Sequence, residues 1–517
     1  MHLKIENVSL GEVSKVDGLA KIQFDVSWDK AWKNKVNCDG VWVFAKFRQG
    51  NGPWRHTDLK NKSAADFDYT DQTPSGFSKG AEGTSSEMGL WIPETKKGSF
   101  IFRTKGEGKV SSKKVTLAWD CSQAKVTDFS NLELKVFGLE MVYVPEDRFC
   151  LGDPDGPDGP ANCFYAYYNN GPYLVQSEDE ILVAEEEDRL YCGRVAGPVG
   201  KNSRFDEPPF TIPAAFPKGY KAFWVSKYEL STQHYVDFLN CLTREQQQNH
   251  VASDISGDAV ENIYVMSNTK KETLRQSITC PSSGNGQDIS VVFSTNAPQR
   301  ACNILGWTDS MAYAAWSGLR PMTEMEYEKA NRGTADPVPY EFSWGSTRIG
   351  RIEGVEGEDG SGYELKLPKN KLVNCCVDGG IGPMHRGKQK KPKHPGLLGP
   401  VSCGVFGNSM VEGYSERENA GATFYGAAEM CGNVWITCVS IGHQIGRSFT
   451  RVHGDGTLDK EGYANIPTWP GKDAQGTGAR GGVWVSPGCI YVCMARRQAG
   501  YHPKAERRMN GGCRLAF

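Results

Sequence analysis

Ala479-Arg480-Gly481-Gly482-Val483-Trp484, running on to Gly511-Gly512-Cys513-Arg514 and ending at Phe517, is the stretch from which the rest of the chain is read. Its two glycine-and-arginine clamps bracket a segment with neither a helical nor a strand period. Glycine pairs fit where backbone turns tightly or approaches another segment, which a Cβ would block. From Ala479 onward seven Arg or Lys stand against one acid, Glu506, together with Trp484, Tyr491, Tyr501 and His502. Aromatic and guanidinium groups in a non-periodic segment held at both ends suit a recognition surface. The plainer reading is the loop-and-strand ending of an ordinary domain.

The bounds set by composition agree with a large globular protein. At about 100–200 residues per domain, a chain of 517 residues predicts two to four domains. A net charge of −2 leaves no basic excess to displace counterions, so nucleic acid is not an expected partner. No window approaches about 18 apolar residues, and membrane insertion is not expected either. The start, Met1-His2-Leu3-Lys4-Ile5-Glu6-Asn7, has no apolar h-region, which predicts synthesis in the cytoplasm with no visible signal peptide. Sixteen cysteines lie scattered, with Cys375 and Cys376 adjacent and Cys431 and Cys438 seven apart. Reduced, buried thiols are the expected state rather than a disulfide framework.

Residues 1–133 read as short strands. Ile22, Phe24, Val26 and Trp28 alternate with polar residues, Val41, Val43, Ala45 and Phe47 recur at the same period, and no helical pattern interrupts them. An all-β sandwich of Ig-like type, serving as an attachment domain, is the expectation. From Leu134 the texture changes to a buried strand ending at Pro145, then to helices starting near Ser231, at Trp307 with a stop at Gly318, and at Thr323. Stretches near 243–300, 350–400 and 439–475 read as insertions. The basic run Arg386-Gly387-Lys388-Gln389-Lys390-Lys391-Pro392-Lys393 and the acids between Glu178 and Asp188 read as solvated surface. Asp153, Asp155 and Asp158 carry oxygens that could ligate calcium, but the fixed loop length and closing Glu of an EF-hand are missing, so a proline-bounded turn is expected there.

Several blocks carry a resemblance when taken in order. They are Met141-Val142-Tyr143-Val144-Pro145, Val225-Ser226-Lys227-Tyr228-Glu229, Trp307-Thr308-Asp309, Gly318-Leu319-Arg320-Pro321 through Ala330, Tyr425 through Gly432-Asn433-Val434-Trp435, Arg480-Gly481-Gly482-Val483-Trp484 and Gly512-Cys513-Arg514. This order resembles the formylglycine-generating enzyme (sulfatase-modifying factor) superfamily over roughly 136–517. The resemblance implies an α+β C-type-lectin-like domain over 134–517, preceded by the sandwich, with the motif residues serving as scaffold. Gly432-Asn433-Val434-Trp435 is expected to form a tight turn delivering its aromatic to the core.

In the oxidases of that superfamily the resemblance implies two cysteines just after the glycine pair, holding copper and the substrate thiol. Here those two positions are Ser486 and Tyr491, while Cys489 and Cys493 lie nearby and out of register. None of the nine histidines has the His-x3-His-x-Glu spacing of the iron-dependent sulfoxide synthases, another branch of that superfamily. The chain is closest in style to the variable receptor-binding proteins of diversity-generating retroelements, because it ends just past the Gly-x-Arg block. That resemblance implies no cofactor and no catalytic residues. It implies instead a ligand surface made by Trp484, Ser486, Cys489, Tyr491, Arg496, Arg497, Tyr501, His502, Arg507, Arg508 and Asn510, with Arg507 and Arg508 as the foremost contacts. A cell-surface protein or glycan ligand, other virion or surface-assembly subunits, a homo-oligomer, and a place on a virion or cell surface are the corresponding expectations. The alternative from another class is a copper-dependent formylglycine-generating oxidase acting on a substrate cysteine.

Overall fold

The computed structural model describes residues 3–517 except 61–87, 123, 127, 161, 193–205, 353–369, 377–397 and 485–505. The basic run at 386–393 lies outside the described residues. The first 144 residues form β1 (Lys4–Ser14), β2 (Leu19–Lys33), β3 (Asp39–Gln49), β4 (Arg55–His56), β5 (Met88–Trp91), β6 (Ser99–Arg103), β7 (Gly106–Asp120) and β8 (Leu132–Val144). β1, β2 and β7 make one antiparallel sheet. On β2 the period of two turns Ile22, Phe24, Val26 and Trp28 inward, as expected.

β3 departs from the expected one-sided pattern. Val41, Val43, Ala45 and Phe47 pack against Ile22, Phe24 and Trp119 in the core of the sandwich. The intervening Trp42 and Phe44 are equally buried, but in the main core of the molecule. A strand covered on both faces reads as a continuous apolar run, and Val41-Trp42-Val43-Phe44-Ala45 is such a run.

The second sheet explains this burial. Its order is Arg320–Pro321, Leu515–Ala516, Phe223–Ser226, β8, β3, β6, β5, with β4 added along β3. β8 pairs with β3 from Asp39↔Val142 to Gln49↔Leu132, and its far half pairs on the other side with Phe223–Ser226. The expected boundary between 133 and 134 therefore falls inside one strand. The sandwich exists, but one of its sheets is also the central sheet of everything that follows.

Polar groups secure the junction. Trp42 Nε1 donates to the Ser317 carbonyl at 2.8 Å, and Lys46 Nζ donates to the carbonyls of Trp316 at 2.7 Å and Gly456 at 2.8 Å. Lys227 Nζ reaches Asp39 at 2.8 Å and Glu140 at 3.6 Å, all three buried. Buried donors and charges are costly unless paired, so these contacts fix the two layers in one register.

The helices follow their sequence signals. α1 (Thr232–Leu239) is capped by Ser231, α2 (Arg244–His250) by Thr243, and α3 (Trp307–Ser317) stops at Gly318 with φ 75°. α4 (Glu324–Arg332) carries the Thr323–Glu326 capping box, in which the Glu326 N–H donates to Thr323 Oγ1 at 3.1 Å. The stretch near 243–300 is not a surface insertion. Val251, Ile255, Val265, Met266, Ile278 and Phe293 belong to the main core, and buried Gln247 donates to the carbonyls of Leu239 and Val291. Its polar side chains mislead because several satisfy backbone groups from inside the fold. Likewise 439–475 contributes Phe449, Trp469 and Ala474 to that core. The chain is thus α+β with a β-rich amino-terminal region.

Candidate functional site

The two carboxyl-terminal clamps flank a single strand. Trp435–Val439 pairs antiparallel with Thr477–Arg480, placing Ile436 opposite Arg480, and parallel with Gly511–Gly512, placing Ile436 opposite Gly512. Gly481 (φ 83°) and Gly482 (φ 75°) occupy the left-handed region, which side chains resist. A Cβ on Gly511 would strike the Leu305 carbonyl, and one on Gly512 the Val434 side chain.

Both clamp arginines are buried scaffold. Arg480 Nη2 donates to Glu328 at 2.7 Å and reaches Glu324 at 3.5 Å. Glu328 also accepts the Gly152 N–H at 2.8 Å, which ties α4 to the strand Phe149–Leu151. Arg514 donates to the carbonyls of Ser226 at 2.6 Å and Ala428 at 2.5 Å, in the field of buried Glu229 and Glu429. Burial pushes the Glu429 carboxyl up to about 7, against the Arg514 charge and the Gly404 N–H, and it pushes Glu229 well above the usual range. The turn at Gly432-Asn433 is tight as expected, with φ 86° and 62°. Asn433 Nδ2 donates to Glu229 at 2.5 Å, and Asn433 Oδ1 accepts the Val401 N–H at 2.9 Å.

The expected ligand residues divide into three groups. Ser486, Cys489, Tyr491, Arg496, Arg497, Tyr501 and His502 lie outside the described residues. Trp484 and Arg507 point inward rather than outward. The Trp484 side chain, 2% exposed, packs on Ile352, Val373, Cys376, Val401 and Phe406, and its N–H donates to the Asn433 carbonyl at 3.0 Å. Arg507 donates to Asp309 at 2.8 Å and to the carbonyl of Asn249 at 2.6 Å. Asp309 also accepts from the Gly306 N–H, Tyr235 and His250. Burial alone would raise the Asp309 carboxyl, but the Arg507 charge and the His250 hydrogen bond outweigh it and hold it at about 2. An arginine needed to neutralise a buried carboxylate is not available to a ligand, which corrects its expected place as a foremost contact.

Arg508 and Asn510 form the third group. Both are half-buried beside a shallow groove whose wall includes Trp307, Trp435, Thr437, Arg508 and Glu506. The Asn510 carbonyl accepts the Trp435 N–H at 2.9 Å. Trp435 does not enter the core as expected: it is half-buried, while Ile436 and Cys438 face inward. The period of two along Trp435-Ile436-Thr437-Cys438 could have shown this, since two apolar residues on one face put the tryptophan on the other. Trp307 Nε1 donates to the Pro470 carbonyl at 3.0 Å, so the long 439–475 stretch also borders the groove.

No described wall residue of this groove is a cysteine or histidine. The fourteen described cysteines are all free, and all but Cys150 are buried. Burial pushes the thiol of Cys513, within the second clamp, up to about 12. At the aspartate turn, Asp153 accepts the N–H of Asp155 at 3.1 Å and of Tyr340 at 2.8 Å, which is the turn role expected of it. Among the described residues no three His, Cys, Asp or Glu converge for a metal ion. No helix among them is long and apolar enough to cross a membrane.

A rigid framework with glycine clamps around one strand and a half-buried tryptophan-lined groove defines a scaffolded-surface class of site. Residues 196–363, which carry α1 to α4, match the family described as sulfatase-modifying factor enzyme 1-like domain, supporting the superfamily resemblance read from the motif blocks. No curated protein matches the chain.

Proposed function

We propose that this chain is a non-enzymatic binding protein whose C-type-lectin-like body presents its carboxyl-terminal surface to a cell-surface protein or glycan. The observation that carries this reading is a substitution within a preserved frame. Both clamps are intact around Trp435–Val439, yet the two positions where the resemblance calls for copper-binding sulfur hold Ser486 and Tyr491. Thiolates are what hold Cu(I), and a hydroxyl or phenol does not replace them. The half-buried Trp307, Trp435 and Arg508 support a surface that grips, since indole and guanidinium groups dominate the binding energy of protein recognition sites. On this reading the protein is a receptor-binding or adhesin subunit of the phage tail-fibre or tail-tip kind, located on a virion or cell surface. Its segment 485–505 is open to diversification, and it is displayed in several copies so that avidity offsets weak single contacts.

Whole-cell and glycan-array binding by the intact protein tests it. Binding that falls at least about tenfold in Arg508→Ala, with the melting temperature unchanged, is the expected result. No binding to any cell or glycan, with Arg508→Ala indistinguishable from the parent, overturns it. The family match favours one second reading, the copper-dependent formylglycine-generating oxidase, with Cys489 or Cys493 supplying the sulfur. Incubation with copper and a cysteine-containing sulfatase-type peptide decides between the two: conversion of that cysteine to formylglycine establishes the oxidase.

A further inference from the structure

A second cavity, of about 380 Å³, lies at the junction of the amino-terminal layers and the body, away from the clamps. Its size is at the lower end of small-molecule sites. One wall comes from the residues around β4, with Arg55 and Asp58, and from Lys97. The other comes from the α1–α2 turn, with Leu242, and from the loop holding Asp455 and Leu458. Trp316 lies between them, and its indole N–H has no hydrogen-bond partner.

The four charged groups are not equivalent. Lys97 and Asp58, on the same wall, pair with each other at 2.5 Å. Arg55 gives one hydrogen bond, from Nη2 to the Ala124 carbonyl at 2.8 Å, and lies over the Phe47 ring; among the described residues it has no carboxylate partner. Asp455 uses Oδ1 to accept from the Thr457 N–H at 2.8 Å and Thr457 Oγ1 at 2.7 Å, which leaves Oδ2 open. One unpaired cation and one half-engaged carboxylate thus face the cavity from opposite walls, with leucine side chains on one side.

We propose that this cavity binds a free α-amino acid as its zwitterion. The ligand carboxylate lies on the Arg55 guanidinium, which offers a planar pair of donors, with the Trp316 indole N–H as a further donor. The ligand ammonium lies on Asp455 Oδ2, and the ligand side chain packs on Leu242 and Leu458. A neutral sugar would leave both charges unanswered, and a simple anion would leave the carboxylate facing it.

Isothermal titration of the intact protein against each of the standard amino acids at neutral pH tests the proposal. Saturable binding of one chemically related group is expected, with Arg55→Ala and Asp455→Asn each weakening it at least about tenfold. The N-acetylated form of the same amino acid, which lacks the ammonium, is expected to bind the parent as weakly as the free amino acid binds Asp455→Asn. Arg55 is exposed, so its replacement leaves the core intact, and unchanged melting of the unliganded variants verifies this. The proposal is overturned if no amino acid binds at about 10 mM. It is equally overturned if binding ignores both substitutions, or if the acetylated form binds as well as the free one. Because the cavity shares no residue with the groove around Trp435, these outcomes are independent of the binding function proposed for the clamps.

Discussion

The junction between the amino-terminal layers and the body differs in kind from the surface at the carboxyl-terminal clamps. At the junction Trp42, Phe44 and Trp316 are buried, and the polar atoms that accompany them, Lys46 Nζ and Trp42 Nε1, each find a backbone carbonyl. At the clamps Trp435 and Arg508 are half-buried, while the framework behind them, Arg480 and Arg514, is as closed as the junction itself. Similar residue types thus serve two ends: tryptophan and arginine hold the fold wherever a neighbour completes them, and they stay at the surface where the strand period turns them outward. The comparison teaches that the amino-terminal region is part of the machinery holding the body together, not an attachment carried beside it.

The largest effect should come from breaking the junction. Removing residues 1–131 strips β3 from β8 and exposes the main core, so no soluble, cooperatively melting protein is expected; a soluble fragment with a sharp melt would make the two regions separable after all. Trp42→Ala is the single-residue version, with a loss of about 3–5 kcal/mol in denaturant unfolding. Next comes the framework behind the clamps. Arg480→Ala leaves Glu324 and Glu328 without their buried counter-charge, and a loss of about 3–5 kcal/mol is expected, since breaking one side of a buried pair costs more than the pair contributes.

The pH dependence separates two carboxylates near the clamps. Glu429 keeps its proton in the folded state up to about 7, whereas unfolded it ionises near 4.5. Its contribution is therefore fully present below about 4.5 and is lost as pH rises to about 7, on the order of 3 kcal/mol. Glu429→Gln should flatten the unfolding free energy across that window. Asp309 has the opposite sign: its folded value of about 2 stabilises the protein above pH 4, and this is lost as pH falls towards 2. Arg507→Ala should remove that acid-side slope. It should also cost about 1–3 kcal/mol at neutral pH, because Asp309 is left with His250, Tyr235 and the Gly306 N–H. The smallest stability effect belongs to Arg508→Ala, within about 0.5 kcal/mol. If Arg508 matters for binding while Arg507 matters for folding, the division between display and framework is sharpened to adjacent residues.

Much of the fold was readable in the sequence because its signals are local. The Thr323–Glu326 box, the Gly318 stop and the Ser231 cap each set a helix end through neighbours a few residues away. The domain boundary was not readable in the same way. The alternation on β2 and the repeat of Val41, Val43, Ala45 and Phe47 look alike until the residues between them are weighed, and Trp42 and Phe44 report a second layer supplied by residues far along the chain. The polar composition near 243–300 concealed core for a related reason: Gln247 and His250 are buried because carbonyls and Asp309 complete them. Of the site, Trp435 was recoverable from strand period. The inward turn of Arg507 was not, because Asp309 lies about 200 residues away in sequence and nothing local links the two.

Ile436 has Arg480 on one side and Gly512 on the other. At the usual spacing of neighbouring strands, those two backbones stand about 10 Å apart whatever joins them. The free energy of closing a segment over so short a gap grows only logarithmically with its length, by about 0.6 kcal/mol per doubling. Lengthening or rewriting the chain between Gly482 and Arg507 should therefore leave the registration of Trp435–Val439 untouched, which makes the segment a replaceable cassette on a frame whose hydrogen bonds are already complete.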